Sequence, residues 1–226
     1  MTTGPQYDGL VFDMDGVLVE PTRRPLLTWA VERTFLEFGV EHPDADLVAS
    51  LCSSDVSHLQ TVETRHGIDR GTFWERRERN AAAEQMAAMK RGEKALYDDA
   101  VLLDDVRVPI GLVSNNQQET VEFVLDAHGV VETFDTAYGR YPSLVGARRA
   151  KPNAYYLERA LDDLRCSTPL YVGDSAVDVA AAAAAGIDVA LLRRPELPRI
   201  EPDIEPTHVI ESLHELGPLV ETRGGA

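Results

Sequence analysis

The feature that most constrains this chain is a series of short apolar runs, each followed by a polar tip and then a helix-like stretch. Leu10-Val11-Phe12, Ile110-Gly111-Leu112-Val113, Leu170-Tyr171-Val172, Val189-Ala190-Leu191-Leu192 and His208-Val209-Ile210 read as buried strands, with Thr136-Ala137-Tyr138 as a weaker sixth. Several are apolar at successive positions, and hence on both faces, as strands of a parallel sheet covered by helices on each side must be. Between them, Val121, Val124 and Leu125 fall at helical spacing in Thr120–His128, which Gly129 closes. A second helix is expected over Asn153–Leu164 after Pro152, and a third over the alanine-rich Ala176–Ala185, stopped by Gly186. Strands alternating with helices predict an α/β fold with a doubly wound parallel sheet.

One interval breaks the alternation. From Asp13 to Pro109 no convincing strand is visible, whereas Leu26–Phe38, Ala45–Leu51, Val56–His66 and Phe73–Met89 read as helices. Trp29, Phe35, Phe38, Phe73 and Trp74 are candidates for a small core of their own. With 226 residues the chain fits one large domain carrying an insertion. The expected organisation is a core of residues 1–20 and 98–226 with a helical cap over 21–97.

In an open parallel sheet, ligands bind beyond the carboxyl ends of the strands. Asp13-Met14-Asp15-Gly16 follow the first strand, Ser114-Asn115-Asn116 the second, and Gly173-Asp174 with Asp178 the strand ending at Val172. Lys151-Pro152 opens the helix before that strand. The fold would bring four carboxylates, a hydroxyl and a lysine to one crevice. Clustered carboxylates repel one another unless a cation lies among them, and all-oxygen ligation with room for water suits Mg²⁺. Lysine and hydroxyl beside a metal would bind a multi-oxygen anion such as phosphate. One carboxylate can attack phosphorus as a nucleophile, and another two residues away can serve as acid and then base. The set points to metal-assisted phosphoryl transfer.

Asp13-Met14-Asp15-Gly16-Val17-Leu18, Ser114, Lys151-Pro152 and Gly173-Asp174-Ser175-Ala176-Val177-Asp178 resemble, in order and spacing, the four motifs of the haloacid dehalogenase-like hydrolase superfamily. The resemblance spans about Leu10 to Leu192 and implies a Rossmann-like core with an inserted helical cap. By motif position it implies Asp13 as nucleophile and Mg²⁺ ligand, and Asp15 as general acid/base with its backbone carbonyl on the metal. Ser114 would bind a phosphoryl oxygen, helped by the backbone N–H of Asn115, and Lys151 would offset charge on Asp13 and the phosphate. Asp174 would ligate the metal directly, and Asp178 directly, through water, or by orienting its neighbours. Relatives that cleave carbon–halogen bonds lack an aspartate at the Asp15 position, so the resemblance implies a phosphatase of small phosphorylated metabolites, phosphoglycolate-type or sugar phosphates. The alternatives are a phosphomutase resembling β-phosphoglucomutase and a non-catalytic binding protein on the same scaffold. Many relatives carry an aspartate and a hydroxyl residue after the first motif, where this chain has Glu20-Pro21-Thr22.

Secondary signals are weaker. Arg140, Arg148 and Arg149 precede Lys151 and either contact a second anionic group of a substrate or line a solvated loop; Arg23 and Arg24, near the expected hinge, present the same choice. His58, His66 and His128 have no metal or triad spacing, and Cys52 and Cys166 read as free core thiols. The formal charge of −16 argues against a nucleic-acid or anionic-membrane partner. Only Lys90, Lys94 and Lys151 are lysines; dispersed carboxylates with so few lysines suggest a cytoplasm of molar salt, where self-repulsion is screened. Met1–Pro5 has neither a basic nor an apolar stretch of the kind a secretory signal needs, so a cytoplasmic location is expected.

Overall fold

The structure, a computed structural model, describes residues 6–222; Met1–Pro5 lie outside it. Six parallel strands form one sheet in the order β3-β2-β1-β4-β5-β6, with β1 Gly9–Phe12, β2 Ile110–Gln117, β3 Thr136–Arg140, β4 Pro169–Gly173, β5 Asp188–Leu192 and β6 His208–Ile210. The order reverses at β1, where the chain turns to build the other half of the sheet. The tips of β1, β2 and β4 are therefore neighbours, as the switch-point rule requires of a binding crevice.

Alternation along each strand divides its side chains between two layers. Leu10, Phe12, Leu112, Leu170, Val172 and Leu192 face one core. Val11, Val113, Tyr171, Val189 and Leu191 face the other, where they meet Leu157 and Ala160 of one covering helix and Val179 and Ala182 of another.

Four helices lie between β1 and β2: α1 Arg24–Glu37, α2 Ala45–Ser50, α3 Leu59–His66 and α4 Arg70–Lys90. Asp44 and Asp69 start α2 and α4 by accepting the backbone N–H of Leu47 and Thr72. Phe35, Phe73, Trp74, Leu51 and Val62 are buried together in a third apolar cluster. Trp29 does not join them. It is 46% exposed, with the Arg33 guanidinium 5.3 Å from the centre of its ring.

The remaining helices are α5 Gln118–Ala127, α6 Leu144–Arg148, α7 Tyr155–Leu164 and α8 Ala176–Ala185. α7 begins two residues later than its sequence suggests, because Asn153 Oδ1 accepts the Tyr155 N–H and holds a turn ahead of the helix. β2 runs past its apolar stretch: pairing with β3 shifts between Val113 and Gln117, and resumes at Gln117 opposite Arg140. Ser114, Asn115 and Asn116 occupy this irregular segment, which re-aims their side chains at the sheet's end. No helix among the described residues is long and apolar enough to cross a membrane.

Candidate active site

Asp13 follows the last residue of β1, and its backbone N–H donates to Val172 O on β4. Asp174 follows β4, and Asp178 sits in the first turn of α8. One carboxylate oxygen from each of these three falls within 4.8 Å of the others. Two glycines make that approach possible. A Cβ on Gly16, which has φ +79°, would lie 2.1 Å from Asp174 Oδ2, and one on Gly173 would lie 2.3 Å from the Asp178 Cβ.

Lys151 anchors the group from below. Its Nζ stands 2.7 Å from Asp13 Oδ1 and 2.7 Å from Asp178 Oδ1, and it donates to Tyr171 Oη and Val113 O. Burial works against the ammonium, but Asp13 and Asp178 more than compensate and raise its pKa above the ordinary lysine value. The carboxylates show the opposite balance. Burial drives Asp13 up to about 7 despite Lys151, with the Asp178 charge adding to the rise. Burial together with the Asp13 and Asp178 charges takes Asp174 to about 8. A pocket that pays this much to ionise its acids is matched to a bound dication, and an all-carboxylate donor set suits a hard one. Asp178 differs from its neighbours in how its oxygens are committed. Oδ1 accepts from Lys151 and the Tyr171 hydroxyl, and Oδ2 from the Ser175 backbone N–H and hydroxyl. That geometry orients Lys151 and the start of α8.

Asp15 points to the other side of the cleft. Its Oδ2 accepts from the Asn116 side-chain amide at 3.0 Å and the Thr22 hydroxyl at 3.0 Å, and Lys94 Nζ pairs with Oδ1. Lys94 also donates to Thr22 Oγ1 at 2.9 Å. Neither Lys94 nor Thr22 falls in a site motif of the sequence, and the sequence assigns neither a role at the site. They lie on the two chain segments that join the helical insertion to the sheet, and only folding brings them to Asp15. Lysine scarcity was the available signal: two of the three lysines, Lys94 and Lys151, are buried against the site's carboxylates.

Ser114 is buried beside Asp13, and its Oγ accepts the Asn116 N–H. Asn115 works on Lys151: its amide donates to Lys151 O and its Oδ1 accepts the Lys151 N–H. A cleft of about 260 Å³ joins these groups, lined by Asp13, Asp15, Ser114 and Asn116 from the sheet and by Arg77 and Gln85 from α4. Another cavity, of about 290 Å³, lies under Leu18, Leu103 and Phe134 and contains none of the strand-tip carboxylates.

Of the arginines in question, Arg140 alone lines the cleft. Arg148 is exposed at the end of α6, and Arg149 stacks 4.0 Å from the Tyr155 ring. Arg23 pairs with Glu93 in solvent, and Arg24 is exposed, reaching Ala49 O. His66 packs edge-on to Phe35, His128 binds Lys94 O, and His58 is exposed. Cys52 is buried and Cys166 half-buried, both as free thiols. Arg194 was not anticipated. Its guanidinium donates to the Gly16 and Val17 carbonyls while pairing with Asp99, clamping the loop after Asp13 from behind.

A parallel α/β sheet with acidic strand tips at its switch point, closed by helices inserted after the first strand, defines a class of hydrolase. The chain belongs to the haloacid dehalogenase-like hydrolases: the sequence model of that family matches residues 7–186. It is 27% identical over 194 residues to the phosphoglycolate phosphatase of Yersinia pseudotuberculosis, covering 79% of this chain and 77% of the relative. In fold it is similar to CbbY from Rhodobacter sphaeroides, solved with phosphate, at TM-score 0.69 and 20% identity over 93% of this chain and 96% of the other. A variant of the same protein, solved with xylulose-1,5-bisphosphate, matches at TM-score 0.69 and 21% identity over the same shares.

Proposed function

We propose that this protein is a Mg²⁺-dependent phosphatase of small phosphorylated metabolites, working through an aspartyl-phosphate. The observation that carries the reading is the convergence of Asp13, Asp174 and Asp178, with Lys151 paired to two of them, while Asp13 and Ser114 open onto one cleft across which Asp15 is held by three donors. Asp13, Asp174 and the Asp15 backbone carbonyl are assigned to the metal, with Asp178 orienting the set. The ion would neutralise the acids and draw charge from the phosphoryl oxygens.

In this reading Asp13 attacks phosphorus and forms the acyl phosphate while Asp15 gives its proton to the departing alkoxide oxygen. Asp15 then takes a proton from the water that cleaves the acyl phosphate, which returns Asp13 and releases phosphate. Ser114 and the Asn115 N–H bind phosphoryl oxygens, and Lys151 offsets the charge accumulating between Asp13 and phosphate. Residues 21–97 act as a cap over the core of residues 1–20 and 98–226, excluding bulk water and supplying substrate contacts.

The test is a screen of phosphorylated metabolites with Mg²⁺, run beside Asp13→Asn. Turnover in the parent and none in the variant is the expected result. Undiminished turnover by the variant overturns the nucleophile assignment. Burst kinetics with a sugar bisphosphate and little net hydrolysis would move the reading to a phosphomutase. Absence of turnover on every compound would leave a binding protein.

A further inference from the structure

Two arginines on the wall of the cleft and the glutamate behind them are buried out of balance. Glu78 of α4 is fully buried and pairs with two guanidiniums, Arg77 from the same helix and Arg140 from the end of β3. Arg77 and Arg140 are themselves 2% and 3% exposed, and both border the cleft that contains Asp13, Ser114 and Asp15. Each makes three hydrogen bonds, Arg77 to Leu51 O, Ser53 O and Glu78, Arg140 to Asn115 O and both Glu78 oxygens. A guanidinium carries five N–H donors, so each retains capacity for another acceptor. Burial and the nearby Arg140 charge hold the Arg77 pKa below its ordinary value although Glu78 opposes them. An uncompensated cation in such a place is costly unless an anion completes the cluster.

We propose that Arg77 and Arg140 form a second anion subsite, which reads an acidic group at the end of the substrate away from its phosphate. The proposal rests on the phosphatase reading and narrows its substrate class to small phosphate esters that carry a carboxylate or a second phosphate. A cleft of about 260 Å³ is of a size to hold a molecule of a few carbons. Glu78 presets both forks in place and keeps the excess at one charge, so a singly acidic group neutralises it. Because Arg140 comes from the sheet and Arg77 from the inserted helices, the anion would also tie the two parts together across the cleft.

The test uses the full chain with Mg²⁺ and three phosphonates that cannot be hydrolysed, titrated calorimetrically: 3-phosphonopropionate, propane-1,3-bisphosphonate and the neutral-tailed propylphosphonate. At least one of the two acidic-tailed ligands is expected to bind roughly 10- to 100-fold tighter than propylphosphonate, the range charge-assisted hydrogen bonds supply. Which of them binds tighter distinguishes a carboxylate from a second phosphate. Arg140→Met leaves a balanced Arg77–Glu78 pair and is expected to bring that ratio close to unity. Glu78→Gln raises the local charge and is expected to increase it. Equal binding of all three ligands by the parent, no binding of any, or variants that shift all three alike would overturn the subsite. None of these readings depends on turnover, so a failure of the phosphatase reading shows separately, as lack of Asp13-dependent hydrolysis.

Discussion

Gly16 and Asp174 occupy each other's space: the carboxylate Oδ2 of Asp174 lies where a side chain on Gly16 would begin, 2.1 Å from the position of its Cβ. The glycine belongs to the loop after β1 and the aspartate to the tip of β4, so the contact welds two strand ends into one acidic wall. Gly39 has the same φ of +79° but open space around it. Gly39→Ala is therefore expected to cost about 1–2 kcal/mol of stability from the left-handed backbone alone and to leave turnover intact. Gly16→Ala carries that same cost and also displaces Asp174. Its turnover should fall by about two orders of magnitude, the scale of losing one preorganised electrostatic contact. Melting temperatures and kcat for the pair separate the two effects.

The raised carboxylates make the metal-free protein sensitive to pH. Asp13 and Asp174 hold their protons up to about 7 and about 8, whereas an unfolded chain releases them near 3.8. Between those limits the folded state binds more protons, so stability falls as pH rises from about 4 to about 8. Lys151 titrates above this window and does not offset the trend. With EDTA the melting temperature is expected to drop across the interval. Added Mg²⁺ should restore it, and by more at pH 8 than at pH 5.

Asp13→Asn removes one of the crowded charges. Without metal at pH 8 this variant should melt higher than the parent, and with Mg²⁺ supplied it should lose turnover altogether, since sites tuned for chemistry trade against stability. A lower melting temperature would show that the Lys151–Asp13 pair outweighs the repulsion.

Lys94 and Asp15 predict a leaving-group effect. Protonation matters most when the departing oxygen is a poor leaving group, and general acid catalysis contributes about 10²–10⁴-fold. Lys94→Met is expected to lower kcat about 10²-fold on alkyl phosphates, and far less on p-nitrophenyl phosphate. Lys94→Arg should recover part of the loss. An equal fall on both substrates would assign Lys94 to structure alone.

Net charge supplies a further expectation. At −16 the surface repels itself in dilute buffer, and the Debye length shrinks from about 30 Å at 0.01 M to about 3 Å at 1 M salt. The melting temperature should rise between low and molar KCl. A flat profile would remove the case for salt adaptation.

What the sequence determined by itself was local and periodic. Apolar runs such as Leu10–Phe12 and Leu170–Val172 can be satisfied only as buried strands, and the acids that follow them must emerge at their ends, which made Asp13, Asp15, Asp174 and Asp178 legible as one group. Lys151 and Ser114 were legible because a motif placed them. Everything that depends on juxtaposition across the insertion was decided by tertiary structure. Lys94 and Thr22 close on Asp15 from two separate connecting segments. Glu78 on α4 meets Arg140 from β3, Trp29 turns outward, and Asn115 binds the backbone of Lys151. No spacing rule encodes these pairs, because their partners lie on elements whose relative placement is set by core packing. Hydrophobic periodicity specifies which face of a helix is buried, but the charged groups that meet at its edge are selected only when the faces dock.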